Sequence, residues 1–200
     1  LMVNELLWSA GMAIMTQCYS TYGLVVIAGL NISSTISNVC NIVWLAMGNA
    51  IAIIIGQLLG AGKMEEARDT DRKLIFFSVS SCFLIGGILL ALAPVFPQIY
   101  NTSDEVRALA TRLIIVGACF MPVQAFLHGA YFTLRSGGQT VITFLFDSCF
   151  LWACSIPAAF CLSRYSGLPI LMTYLFCQSL DIIKCVIGFI LVKKGVWLRN

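Results

Sequence analysis

After Glu5 the chain carries no charged residue until Lys63, and this stretch from Leu6 to Gly62 limits the possible folds more than any other feature. A spanning helix needs roughly 20 mainly apolar residues, so the stretch is too long for one crossing. Tyr22-Gly23 is the best break, because glycine after an aromatic residue marks a helix end. Composition agrees: 60% hydrophobic and 10% charged residues over a chain of 200 leave too little polar surface for a soluble domain. Open strands cannot satisfy their backbone in lipid, so the expected fold is an all-α membrane protein.

Six spans are expected, near residues 1–21, 26–60, 72–97, 105–134, 139–163 and 168–193. They would form a single six-helix transmembrane bundle over 1–200. Assigning the loops alternately to the two sides puts Lys63, Arg68, Arg72, Lys73, Arg135, Lys193, Lys194 and Arg199 on one side. Arg107, Arg112 and Arg164 fall on the other. The positive-inside rule makes the first side cytoplasmic, with both ends of this segment on it. A multi-pass protein of the cell membrane, in contact with the bilayer, is expected. No basic block suggests nucleic acid. No secretory signal is recognised, and the chain reads as a fragment that enters its first helix partway.

The nine cysteines all fall in apolar spans and none shows C-x-x-C spacing, which favours packing over a disulfide framework or a metal site. Gly60-Ala61-Gly62-Lys63 lacks the upstream glycine and the Ser or Thr of a phosphate loop. It reads as a helix C-cap, followed by a short surface helix carrying Glu65, Arg68, Asp69 and Arg72. Thr102 and Glu105 make a capping box that starts the fourth span.

The polar residues inside the spans are the functional candidates, because ionisable groups there are expensive and functional by default. Three acids qualify: Glu5, Asp147 and Asp181. Asn31, Ser34, Asn38 and Asn41 fall on one face of the second span, which then continues with a small-residue ridge of Gly48, Ala52, Gly56 and Gly60. The stripe suits either a cavity lining or hydrogen bonding between helices. In the fourth span Pro122 bends the helix just before Gln124, His128, Tyr131 and Arg135. His128 is either a hydrogen-bonded core residue or a proton or substrate contact.

Asp147, Trp152 and Pro157 recur every five residues, and Gln178, Asp181 and Lys184 every three. At about 1.5 Å per residue, Asp147 and Lys184 each lie roughly 13 Å from the same side. An Asp147–Lys184 ion pair is expected, with Asp181–Lys184 as the competitor. No H-E-x-x-H or G-x-S-x-G motif is present, so an intramembrane enzyme using Glu5, His128 and Asp181 ranks low, as does a channel. A transporter is the preferred class, and no cofactor is expected beyond a coupling ion.

Over its whole length the chain resembles the C-terminal half of the multidrug and toxic compound extrusion (MATE) transporters. The carrying segments are Asn4-Glu5-Leu6-Leu7-Trp8-Ser9, Gly56-Gln57-Leu58-Leu59-Gly60-Ala61-Gly62-Lys63 with Glu66-Ala67, Leu134-Arg135-Ser136-Gly137-Gly138, the Asp147, Trp152, Pro157 spacing and Lys194-Gly195-Val196-Trp197. The resemblance, strongest to bacterial members, implies an antiporter of two six-helix lobes with a substrate cavity between them. This chain would be the second lobe and an N-terminal lobe its partner.

The resemblance also places Glu5 where the family keeps a coupling acid. Gln124 stands where its sodium-coupled branch has an aspartate, leaving a site of charge minus one suited to H+ or a single Na+. Another acid, on the first helix of the other lobe, is implied for proton-coupled members. Asn31, Asn38, Asn41, His128 and Tyr131 would line the cavity. The implied function is efflux of small organic, mainly cationic compounds. A flippase for lipid-linked precursors or polysaccharides, from the same superfamily, is the alternative; it would want a more cationic cavity.

Overall fold

The computed structural model describes residues 2–198; Leu1 and Arg199, used above, lie outside the described residues. The chain is all-helical. Its six helices are α1 (Met2–Ser20), α2 (Leu24–Gly60), α3 (Met64–Leu92), α4 (Asp104–Ser136), α5 (Thr140–Tyr165) and α6 (Ile170–Lys193). Five of them, α2 to α6, are long and apolar enough to cross a membrane. α1, at 19 residues, carries Asn4, Glu5, Thr16 and Gln17 and falls outside that set. Large apolar side chains cover the outside, among them Phe76, Phe77, Phe83, Leu84, Ile182, Ile183 and Phe189. Such a surface is stable against hydrocarbon rather than water.

The turns follow from local chemistry. α2 ends at Gly62, whose φ of 73° admits glycine without strain. There the Lys63 N–H donates to the Leu58 carbonyl and the Gly62 N–H to that of Leu59, both at 3.0 Å. This is a Schellman closure. α4 ends the same way at Gly138, with the Gln139 N–H donating to the Leu134 carbonyl at 3.1 Å. The surface helix expected near residue 65 is not separate, because α3 starts at Met64 and runs on without a break. α3 also stops at Leu92, short of residue 97, since Pro94 and Pro97 force a short 3-10 turn over Phe96–Ile99. The cap of α4 is Ser103 rather than Thr102, and its hydroxyl accepts from the Val106 N–H at 3.4 Å.

α4 is the central helix, packed mainly against α2, α3 and α6. Pro122 cannot donate to the Ala118 carbonyl, one turn earlier. Gly86 of α3 packs against that oxygen, and a Cβ there would stand 3.0 Å from it. The small-residue ridge of α2 serves α4 through its first half only. Gly48 admits the Phe132 ring and the Ala52 carbonyl accepts from Ser136 Oγ at 3.2 Å, whereas Gly56 and Gly60 face open space.

α5 contains two π-helical turns, Leu145–Cys149 and Leu151–Ser155. The second relieves the clash of the Pro157 ring with the carbonyl four residues earlier. The widened turns keep Asp147, Ser148 and Trp152 toward α1, where the Trp152 indole N–H donates to the Leu7 carbonyl at 3.0 Å.

The two halves of the ridge separate experimentally. Gly48→Val is expected to lower stability by about 1–3 kcal/mol through overpacking, and Gly56→Ala to leave it unchanged or slightly raised. Thermal unfolding of the purified protein in detergent reads the difference.

Candidate functional site

Four residues of α4, spaced along one face, form the spine on which the polar groups of the other helices converge. Gln124, nearest the proline, donates from Nε2 to Asp181 Oδ2 of α6 at 2.6 Å. One turn on, His128 Nδ1 lies 3.0 Å from the Gln124 carbonyl; a carbonyl only accepts, so the ring proton sits on Nδ1. The His128 ring packs on Trp44 of α2 with centroids 3.8 Å apart, and the Trp44 indole donates to Asn41 Oδ1 at 3.0 Å. The His128 ring is thus held by Trp44 on one side and by its own helix on the other.

Further along, the Tyr131 phenol oxygen accepts from Asn4 Nδ2 at 3.3 Å. Asn4 is buried and joins three helices. Its Nδ2 also lies 3.5 Å from Asp147 Oδ2, and its Oδ1 accepts from Ser148 Oγ at 2.6 Å. Asp147 Oδ1 in turn stands 3.6 Å from Lys184 Nζ, with both side chains largely buried. Lys184 lies over the rings of Phe146 and Phe150, at 5.4 and 5.7 Å, which adds cation–π attraction. At the end of the spine Arg135 Nη1 stands 3.7 Å from Glu5 Oε1.

The arrangement therefore brings Asp147 to Lys184 and assigns Asp181 to Gln124. Among the described residues no ion pair joins Asp181 to Lys184, so of the two pairings open in the sequence the interhelical one is present. Glu5 and Gln124 are not brought together. Glu5 sits in the first turn of α1, 59% exposed and beside Arg135. Gln124 lies eleven residues before Arg135 on α4, roughly 16 Å along the axis, and serves Asp181. A single site shared by Glu5 and Gln124 is thus corrected to two separate places on one helix face.

The asparagine stripe of α2 also divides. Asn41 is half-buried and held by Trp44, whereas Asn31, Ser34 and Asn38 are exposed. Among the described residues no side-chain hydrogen bond ties Asn31 or Asn38 to another helix. These amides point away from the bundle, beside strongly apolar positions such as Val39 and Ile42.

Two polar residues escaped the sequence reading. Asn4 is neutral, so no charge singles it out, although it falls one heptad before Gly11 on the buried face of α1. Asp71 lies one residue before the expected third span and is not among the three acids singled out there, yet it is fully buried. Thr133 Oγ1 donates to Asp71 Oδ1 at 2.5 Å, and Asp71 Oδ2 has no partner. Helical phase gives it away: Ala67, Asp71, Ile75, Ser78, Cys82, Gly86 and Leu89 form the buried face of α3.

Buried charges paired across helices, in a bundle with an apolar exterior, narrow the relatives to membrane proteins. The family model for MatE matches residues 1–161. The chain belongs to the MatE family. Similar proteins include the probable multidrug resistance protein YoeA of Bacillus subtilis, 23% identical over 203 residues, with 97% of this chain and 43% of the relative aligned. Another is the multidrug resistance protein MdtK of Edwardsiella ictaluri, 23% identical over 154 residues, or 76% of this chain and 33% of the relative. A third is the probable multidrug resistance protein NorM of Halalkalibacterium halodurans, 22% identical over 156 residues, with 78% and 34% aligned. The chain thus spans less than half the length of these relatives, and no solved structure matches it. As a MatE protein it is a multi-pass membrane protein with bacterial homologues.

The MatE segments that carry the sequence resemblance meet in space. Leu59, Ala67, Leu134 and Trp197, drawn from three such segments, share one buried cluster. Gly137 lies so close to the Trp197 backbone that no Cβ would fit.

The Asp147–Lys184 pair is testable by a double-mutant cycle of Asp147→Asn and Lys184→Met. Each single change leaves the other charge without its partner, and the two effects should be non-additive by about 1–3 kcal/mol. Chemical unfolding in mixed micelles measures the coupling; additivity would deny the pair any energetic weight.

Proposed function

We propose that this chain is one six-helix lobe of a two-lobe secondary antiporter, with α1 as the sixth crossing, that exports small organic cations in exchange for H+ or Na+. The observation that carries the reading is the exposed polar face of α2. Asn31, Ser34 and Asn38 point out of an otherwise apolar bundle, and an unsatisfied amide in hydrocarbon costs several kcal/mol. That face needs water or protein against it. A second lobe across a water-filled cavity supplies both, as in antiporters whose repeats rock about a central site. The multidrug resistance names of the relatives support the cargo class.

The residues then take the following parts. Glu5 is the coupling carboxylate: loaded with H+ or Na+ it loses its attraction for Arg135, 3.7 Å away, and that releases the end of α4 for movement against α1. Gln124 fixes Asp181 and thereby the register of α6 on α4. Asn31, Asn38 and Asn41, with His128 and Tyr131, give the cavity wall hydrogen-bonding groups among apolar and aromatic ones, a mixture suited to organic cations. Lys184 is engaged by Asp147, so the one firm cation of the span interiors is not offered to a phosphate. This ranks organic-cation efflux above the flippase reading.

The test is dye efflux from cells expressing the complete gene, with the proton and sodium gradients collapsed in turn. Efflux is expected to fall with one gradient, and Glu5→Gln to reduce it about fivefold or more, the lower range of a typical coupling free energy. Full gradient-dependent efflux in that variant would remove Glu5 from the mechanism.

A further inference from the structure

Away from the polar spine, α3 and α6 pack chiefly on α4 rather than on each other, which leaves a groove of about 530 Å³ between them. Its floor is Phe126 of α4, and its walls include Ile75 and Val79 of α3 and Phe189 of α6. The walls are apolar for most of their length. One end differs: Arg68 and Arg72 from the first turns of α3 and Lys193 from the last turn of α6 all line it, with Trp197 closing it off. Lys63, Lys73, Arg107, Arg135 and Lys184 each have a carboxylate within 4 Å, whereas among the described residues these three have none. The sole acid on the groove wall is Asp71, fully buried behind them, with Oδ2 unpartnered.

Three unpaired cations against one carboxylate leave the end of the groove with an excess of two positive charges. Arg72 and Lys193 are exposed and Arg68 half-buried, so at the ends of membrane-spanning helices this excess is open to an anionic headgroup and attracts one. The groove opens between lipid-facing side chains, since Phe76 and Phe189 on its two lips are exposed. Whatever enters thus has an apolar length along the helices and an anionic head at their charged ends. We propose that the α3–α6 groove is a binding site for a single anionic phospholipid, its phosphate held by Arg68, Arg72 and Lys193 and one acyl chain laid over Phe126. Phosphatidylglycerol fits this end, because its single negative charge offsets part of the excess and its headgroup hydroxyls supply donors beside the one carboxylate of the site. Basic pockets between transmembrane helices hold acidic headgroups by the same chemistry. This site does not depend on the transport reading above.

The test is native mass spectrometry of the purified full-length protein, equilibrated in detergent with equimolar phosphatidylglycerol and phosphatidylcholine. Wild type is expected to retain phosphatidylglycerol at least about fivefold over phosphatidylcholine, the factor expected for even one basic residue near a membrane surface. The triple variant Arg68→Gln, Arg72→Gln, Lys193→Gln should lose that preference. If the triple variant does not fold, Lys193→Gln alone, at an exposed position, should lower the ratio. Val79→Trp, which fills the groove with all charges intact, should lower retention of phosphatidylglycerol. A wild-type ratio near one, or a ratio unchanged in the folded charge variants, overturns the proposal. Displacement of the lipid by excess inorganic phosphate would make this a phosphate site and would overturn the lipid assignment.

Discussion

A charge or amide among apolar helices costs several kcal/mol unless another polar group meets it, and this constraint organises the bundle. It explains why α4 lies at the centre. One face of that helix carries Gln124, His128, Tyr131 and Arg135, and each meets a partner from another helix or from its own backbone. Asp147 and Lys184 complete the set by closing α5 onto α6. Their pairing fixes which faces of α5 and α6 turn inward, so that both helices present their remaining apolar side chains to lipid. The π turns belong to the same solution. A regular α-helix would not keep both Asp147 and Trp152 directed at α1, whereas the wider turn lets Ser148 and Trp152 bond to Asn4 and Leu7.

The same constraint separates the two ends of the molecule's polar equipment. At the spine nearly every charge is matched, and the groups left without partners lie elsewhere: the Asn31 to Asn38 face of α2 and the basic end of the α3–α6 groove. Unmet polarity on an apolar surface marks where something else belongs. For α2 the complement is water and a second lobe; for the groove it is an anion with a hydrocarbon tail. The corner where Leu59, Ala67, Leu134 and Trp197 pack together has a different character. It is buried and apolar, has no room for a side chain at Gly137, and anchors the ends of α2, α3, α4 and α6 together. MatE resemblance in those segments therefore reports packing rather than chemistry.

Much of this was legible in the sequence, for reasons of phase and depth. Counting 1.5 Å per residue put Asp147 and Lys184 at one level, and the five-residue recurrence of Asp147, Trp152 and Pro157 carried the trace of the π turns, whose hydrogen bonds skip one residue more than an α-helix. The glycine at 62 marked its helix end through the left-handed turn it makes. What escaped depended on contacts far apart in the chain. Glu5 and Arg135 are 130 residues apart, and nothing local in either segment announces the other. Asp71 stands among Arg68, Asp69, Arg72 and Lys73, a run whose charge hides it, although its helical phase with Ala67 and Ile75 makes it a buried residue. Asn4, being neutral, left only a weak heptad signal.

The central claim is that the Asn31 to Asn38 face of α2 meets water or protein and never lipid. Site-directed spin labelling in bilayers tests it most directly, with the nine native cysteines replaced and a label placed at 38 or, for comparison, at the lipid-facing position 83. The account predicts that a water-soluble nickel complex relaxes the label at 38 much more than oxygen does, with the opposite order at 83. An oxygen-dominated, lipid-like profile at both positions would contradict it.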